Sequence, residues 1–306
     1  MNLDMHFHSN LSDWKQSIDE IVLKAKDLWL QYAFLTDHDR ISSQFVTKAR
    51  SLWIKTWESV EISTLNKQDD FSLHLTYYAW EISQKVSLIL ENTINQRIDL
   101  IKKQIDFFRK IWFEININDF YKYCLSLWRK KDSINKYDLT VFLFLSPKNR
   151  KLATKINGWK ITMLDFYMKY LKKWWEKFSE YWVLIPDYEP TLEQIKDLWK
   201  ADNAIISIAH PNFTFKKWIS EFKEKLPHYV KTWWINAIEI NSKATADWVE
   251  AILEAKDEFW LFLTFWSDNH WIWKNDNKHW DFWELNPILN GEFVTKELKR
   301  YINNIT

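Results

Sequence analysis

Leu3-Asp4-Met5-His6-Phe7-His8-Ser9-Asn10-Leu11-Ser12-Asp13-Trp14 opens with a short apolar run and closes in a cluster of turn-forming polar residues. That pairing reads as a buried β-strand running into a loop. Side chains two apart on a strand share a face, so His6 and His8 point the same way and can grip one ion. Outward from this strand, extended runs alternate with helical patterns. Helical periodicity covers Ile18–Leu28 and Ser42–Leu52, and extended runs cover Tyr32–Thr36, Ile54–Ser63 and Ser72–Ala79. Alternation returns late in the chain with Ala204–Ala209, a helix near Phe215–Lys225, Ile235–Ile240, a helix over Ala246–Glu258, Leu261–Phe265 and a helix near Lys296–Ile302. The pattern predicts an α/β fold of parallel strands and crossover helices, either a barrel or an open sheet. In both, the residues just beyond the strands build the site.

Between these halves, from about Leu88 to Tyr181, the pattern changes to long helical segments such as Asn95–Ile111 and Met163–Phe178, rich in Lys, Phe and Tyr. This predicts a helical insertion over 91–184 within a domain formed by 1–90 and 185–306. Lys and Arg number 42 against 41 Asp and Glu, a formal charge of +1, which excludes a protein that coats long nucleic acid by bulk electrostatics. Cys124 is the only cysteine, so neither a disulfide framework nor a cysteine zinc site is available. There is no uninterrupted apolar stretch of membrane-spanning length and no secretory pattern before the first strand. The expected setting is a reducing cytoplasm, with no membrane partner; composition leaves the oligomeric state open.

Tryptophan and glycine usage is inverted. The chain has 22 Trp and 2 Gly, where usual glycine usage predicts roughly 21. Trp14, Trp57, Trp266 and Trp271 fall in short polar turns, and Trp29, Trp112, Trp182 and Trp260 fall between a helical pattern and an extended run, the place of a C′ glycine. The expectation is that Trp stands where Gly belongs, through UGA read as tryptophan. The alternative is a Trp-rich surface for sugars or membranes, which requires clustering at helical or strand period.

Six of the eight histidines lie in the strands or just past their ends: His6, His8, His38, His74, His210 and His270. Carboxylates accompany them at Asp13, Asp37, Asp39, Glu61 and Asp268. The ordered segments Asp4 to Trp14, Thr36-Asp37-His38-Asp39, Val60-Glu61-Ile62-Ser63, Ala209-His210-Pro211 and Trp266-Ser267-Asp268-Asn269-His270-Trp271 resemble the motif series of the polymerase and histidinol phosphatase (PHP) family. Trp14, Trp266 and Trp271 each replace a family glycine. The resemblance implies a distorted (β/α)7 barrel holding up to three divalent metal ions, manganese foremost, with iron or zinc as alternatives. It implies that His6, His8, Glu61 and Asp268 hold one ion; that Glu61, His74 and His210 hold a second; and that Asp13, His38 and His270 hold a third. Asp37 and Asp39 are expected to orient His38 and its turn, and Glu239 matches a recurring position of structural character.

The insertion resembles that of PHP phosphoesterases acting on 3′,5′-nucleoside bisphosphates and on the 5′ ends of short RNA. Arg97 is the implied clamp for a substrate phosphate, with a solvated helix arginine as the alternative; Lys102, Lys103, Arg109 and Lys110 are a candidate basic rim. The implied function is hydrolysis of a nucleotide phosphate ester by a metal-activated hydroxide, on a nucleotide or short oligonucleotide and not on long duplexes. A histidinol-phosphate phosphatase and a non-catalytic polymerase-associated module are the alternatives.

Overall fold

The computed structural model describes residues 2–14, 16–66, 71–171, 189–196, 198, 202–215, 218–267 and 286–305. They form two compact units, one of Met1–Glu91 with Glu189–Thr306 and one of Asn92–Tyr188. The first unit contains β1 (Leu3–Phe7), β2 (Tyr32–Leu35), β3 (Glu58–Asn66), β4 (Phe71–Ala79), β5 (Ile205–Ile208), β6 (Ala237–Asn241) and β7 (Phe262–Trp266). Strands β1 and β2 pair in parallel as one sheet, and β3 to β7 pair in chain order as a second. Isolated bridges Tyr32↔Lys55 and His38↔Glu61 connect the sheets.

The expectation of uniformly parallel strands needs correction at β4, which runs antiparallel to both β3 and β5, while β5, β6 and β7 are mutually parallel. Only residues 67–70 separate β3 from β4. A parallel pair requires a crossover of a dozen or more residues, so so short a connection makes a hairpin. Closure is the second difference. No ladder joins β1 to β7 among the described residues, which form two sheets rather than a closed (β/α)7 barrel. The link there is a side chain: Asp4 accepts from the Ser267 backbone N–H at 3.3 Å and from its hydroxyl at 2.5 Å.

Helices α1 (Ile18–Asp27) and α2 (Ser43–Ser51) follow β1 and β2. A capping box starts α1: the Ser17 hydroxyl accepts from Glu20 N–H while the Glu20 carboxylate accepts from Ser17 N–H. Its Ile18, Ile21, Val22 and Ala25 form the buried face. Every residue of β1, β2, β5 and β6 is buried, so these strands carry near-continuous apolar runs interrupted at functional positions.

Helix α3 (Gln84–Lys110) contains the boundary between the units; α4 (Ile117–Ser126), α5 (Lys136–Leu145), α6 (Pro147–Asn157) and the short α7 (Met163–Phe166) belong to the second. Its core is aromatic, with Phe108, Phe113, Phe120, Phe144 and Phe166 buried together. The helix expected over Met163–Phe178 is instead α7 followed by a π-helical turn at Tyr167–Leu171; the remainder lies outside the described residues. In the first unit, α8 (Leu192–Lys196), α9 (Pro211–Thr214), α10 (Ile219–Trp233), α11 (Ala246–Phe259) and α12 (Gly291–Ile305) complete the set. No helix among the described residues is long and apolar enough to cross a membrane.

Helix ends show where the tryptophans act. Trp29, Trp53, Trp112, Trp128, Trp234 and Trp260 have φ between 56° and 74°, and Gly158, at the end of α6, has φ 83°. After five of these Trp the next N–H closes the helix with a six-to-one bond: Leu30 to Ala25 O, Ile54 to Ala49 O, Phe113 to Phe108 O, Arg129 to Cys124 O and Leu261 to Lys256 O, all at 2.9–3.0 Å. This is the Schellman termination, whose C′ residue is normally glycine. The same five indoles are more than 80% exposed. Trp57 differs from the expectation: it is buried and stacked on Phe34 at 5.1 Å, without a left-handed backbone. Trp14 is partly buried and donates to Gln16 Oε1. Trp266 ends β7, and Trp182 and Trp271 lie outside the described residues.

A left-handed backbone costs a non-glycine residue about 1–2 kcal/mol. Trp53→Gly and Trp128→Gly should therefore each raise unfolding free energy by about 1 kcal/mol after glycine's extra unfolded-state entropy is subtracted. Urea denaturation measures both, and destabilisation at Trp53 would reveal packing by its indole.

Candidate metal centre

Seven of the nine expected ligands come together in the first unit. Glu61, on β3 and 1% exposed, is the common neighbour. Its Oε2 lies 3.3 Å from His6 Nε2, 3.3 Å from His8 Nε2 and 3.0 Å from His38 Nδ1. Its Oε1 lies 2.8 Å from His74 Nδ1 and 3.1 Å from His210 Nε2. Asp13 flanks the cluster, with Oδ2 3.4 Å from His38 Nε2 and Oδ1 3.6 Å from His8 Nδ1. Asp268 and His270 lie outside the described residues.

Each ligand is placed by backbone pattern. His6 is on β1 and His8 follows it, with the rings 5.1 Å apart. His38 bridges to Glu61 through the backbone. The β3–β4 hairpin sets Ser63 opposite His74, so His74 is the diagonal same-face neighbour of Glu61. His210 caps α9 in a left-handed conformation, φ 36°.

The donor chemistry fits divalent metal. Three groups have ligand atoms within mutual reach: His6, His8 and Glu61; His8, Asp13 and His38; and His38, Glu61 and His74. Two donors about 2.1 Å from one ion at a tetrahedral angle sit roughly 3.4 Å apart. The His6–His8 separation of 3.2 Å and the two 3.3 Å distances to Glu61 match this.

Electrostatics pull the imidazoles apart in charge. Burial would raise Glu61, but His38, His6, His74 and the His210 hydrogen bond hold it well below the usual carboxylate range. Burial works against the charged form of His6 too, yet Glu239 and Glu61 raise it well above its ordinary value. For His38, Glu61 and Asp13 outweigh burial and push it up to about 10. Burial takes His8 down to about 3 and also lowers His74. Without metal, His8 is neutral and His38 carries a proton.

The surrounding carboxylates were only partly legible. Asp37, expected to orient His38, instead accepts from Ser9 N–H at 2.6 Å, Ser9 Oγ at 2.5 Å and Ser12 Oγ at 2.5 Å, ordering the loop after β1. Asp39 accepts from Ser63 N–H, and its own N–H donates to the Glu61 carbonyl. Glu239 accepts from His6 Nδ1 at 2.8 Å and from His210 N–H at 2.5 Å, contacts between partners too distant in sequence for local pattern to disclose. Arg97 lies on α3 in the second unit, largely buried, with Nη2 3.5 Å from the Asp132 carbonyl. Of the candidate rim, Lys102 pairs with Asp99 and Arg109 with Asp106.

No family model matches the chain, and no curated protein matches it by sequence. Among solved structures it is similar to a protein from Bifidobacterium adolescentis described as a metal-dependent phosphoesterase, with TM-score 0.68, 17% identity, and 97% of this chain and 96% of that one covered. It is also similar to an amidohydrolase from Chromobacterium violaceum with bound sulfate and no metal, with TM-score 0.67, 16% identity, and coverage of 98% and 97%. At such identity the likeness establishes a shared fold over essentially the whole chain.

Metal binding should release protons, because a ligand imidazole must be neutral and His38 is protonated up to about pH 10. Affinity should fall as pH falls, since protons then compete more strongly. Calorimetric titration with Mn2+ in two buffers of different ionisation enthalpy measures the release; pH-independent binding without it would contradict the charge assignment.

Proposed function

We propose that the chain is a metal-dependent phosphoesterase of the PHP type, acting on a phosphate ester of a nucleotide or short oligonucleotide. The observation that carries this reading is the gathering of five histidines about the buried carboxylate of Glu61, with Asp13 at the edge of the cluster. The fold shared with a protein described as a metal-dependent phosphoesterase supports it. His6, His8, Asp13, His38, Glu61, His74 and His210, with Asp268 and His270, would hold divalent metal, which would supply Lewis acidity to activate water and offset phosphate charge. Glu61 keeps the ligand rings converged, and the Asp37-ordered loop of Ser9 and Ser12 carries Asp13 to the edge of the cluster. Arg97 is proposed as the substrate-phosphate residue on the motif resemblance alone.

The assay compares metal-stripped protein with protein given Mn2+ on a 3′,5′-nucleoside bisphosphate, a 5′-phosphorylated short RNA and histidinol phosphate. Phosphate or nucleotide release should appear on the first two only with metal, and Glu61→Ala should abolish it. Arg97→Ala should raise KM with metal content unchanged. Release from histidinol phosphate alone would replace the nucleotide reading with the amine substrate, and no release from any of them would remove the phosphoesterase reading.

We further propose that the 22 Trp positions are glycine codons. The six left-handed tryptophans, five at Schellman ends, support this. Trp57, Trp233 and Trp248, all buried, are where the two readings diverge most. A chain with all 22 changed to Gly should be soluble and active, with the Trp chain poorer on both counts; a well-folded, fully active Trp chain beside an unfolded Gly chain would show the indoles to be native.

A further inference from the structure

Glu239 is a fully buried carboxylate in the middle of β6, within Ala237-Ile238-Glu239-Ile240-Asn241. Burying a carboxylate is costly unless hydrogen bonds replace its water. Here both oxygens are engaged, Oε2 by His6 Nδ1 at 2.8 Å and Oε1 by the His210 backbone N–H at 2.5 Å. A carboxylate in this setting accepts, so His6 Nδ1 carries a proton. Whenever the ring is neutral, its lone pair is therefore on Nε2, the atom facing His8 Nε2 and Glu61. The second contact holds a backbone that is unfavourable for histidine, since His210 is left-handed at φ 36° and is followed by Pro211. The His210 ring is set in the same way: its Nδ1 lies 3.2 Å from the Thr214 hydroxyl, which donates its own proton to the Ala209 carbonyl, and Nε2 faces Glu61.

We infer that Glu239 is a positioning residue that couples two ligands from different strands, fixing the tautomer of His6 with one oxygen and the backbone of His210 with the other. The inference rests on the reading that those histidines hold metal. Glutamine has the same shape but only one accepting oxygen, so it can serve either partner and not both. Carboxylates that orient ligating imidazoles typically contribute 10–100-fold to metal affinity.

Metal-stripped wild type, Glu239→Gln and Glu61→Ala are equilibrated with Mn2+ across a chelator-buffered series, and bound metal per chain is counted by mass spectrometry. Glu239→Gln should need about 10–100-fold more free Mn2+ for equal occupancy, measured at a temperature where circular dichroism shows its metal-free form folded. Glu61→Ala should lose the metal outright. Nitrogen-15 histidine spectra of the wild type loaded with diamagnetic Zn2+, independent of any variant, should show His6 and His210 protonated at Nδ1. Wild-type Mn2+ titration by Glu239→Gln beside a metal-deficient Glu61→Ala would overturn the inference, as would a Zn2+-loaded His6 carrying its proton on Nε2. If Glu61→Ala also titrates like wild type, the metal reading itself falls, and this inference with it.

Discussion

A single buried carboxylate, Glu61, organises the first unit. It contacts five imidazoles delivered by β1, the residues after β2, β4 and the end of β5. Anions of this kind are stable away from water only when cations or donors replace the lost hydration. In the metal-free protein that role falls to protons. His6 and His38 are pushed up and hold them, while burial, reinforced by the neighbouring cationic rings, pushes His8 and His74 down. A divalent ion bound here would compete with these protons for the same ligand atoms.

The strand that breaks the parallel pattern is the one this arrangement needs. An antiparallel β4 brings His74 back beside Glu61 within a hairpin, on the same face and one diagonal step away. A parallel β4 would have required a long crossover before its histidine could return. The reversal is thus a local solution to the problem of placing two ligands on neighbouring strands with only four residues between them. The open junction between β1 and β7 has a similar logic. Asp4 grips Ser267 from across it, so the residue that follows β7 is tied to the strand that carries His6.

How much of this is visible in the sequence depends on the range of each interaction. His6 and His8 were legible because strand period alone aligns them, and the strand-end positions of His38 and His210 followed from alternation. The antiparallel sense of β4 is implicit in the short spacing of β3 and β4, against the surrounding α/β rhythm. Asp37 lies beside His38 in the chain, whereas its partners are Ser9 and Ser12 on the preceding loop. Glu239 was the hardest case, since its two partners lie 233 and 29 residues away. Its signature in the sequence is only a charged residue inside an otherwise apolar strand. That observation marks burial with a partner and does not identify the partner.

The tryptophans divide along the same axis. In a strand-then-helix chain, ligands follow the C-terminal ends of strands, and helices run back so that their own ends precede the next strand. Trp29, Trp53, Trp234 and Trp260 sit at those helix ends, ahead of β2, β3, β6 and β7. Their backbone strain consequently bears on folding of the first unit and leaves the ligand geometry untouched. Trp14 is of the other kind. It adjoins Asp13 in the loop ordered by Asp37, its N–H bonds back to the Ser9 carbonyl at 3.0 Å, and its indole is held by Gln16. A tryptophan there is built into the loop that carries Asp13, so its effect is on the shape of that loop. Helix-end and loop tryptophans thus bear on different properties, the first on how much protein folds and the second on how Asp13 is presented.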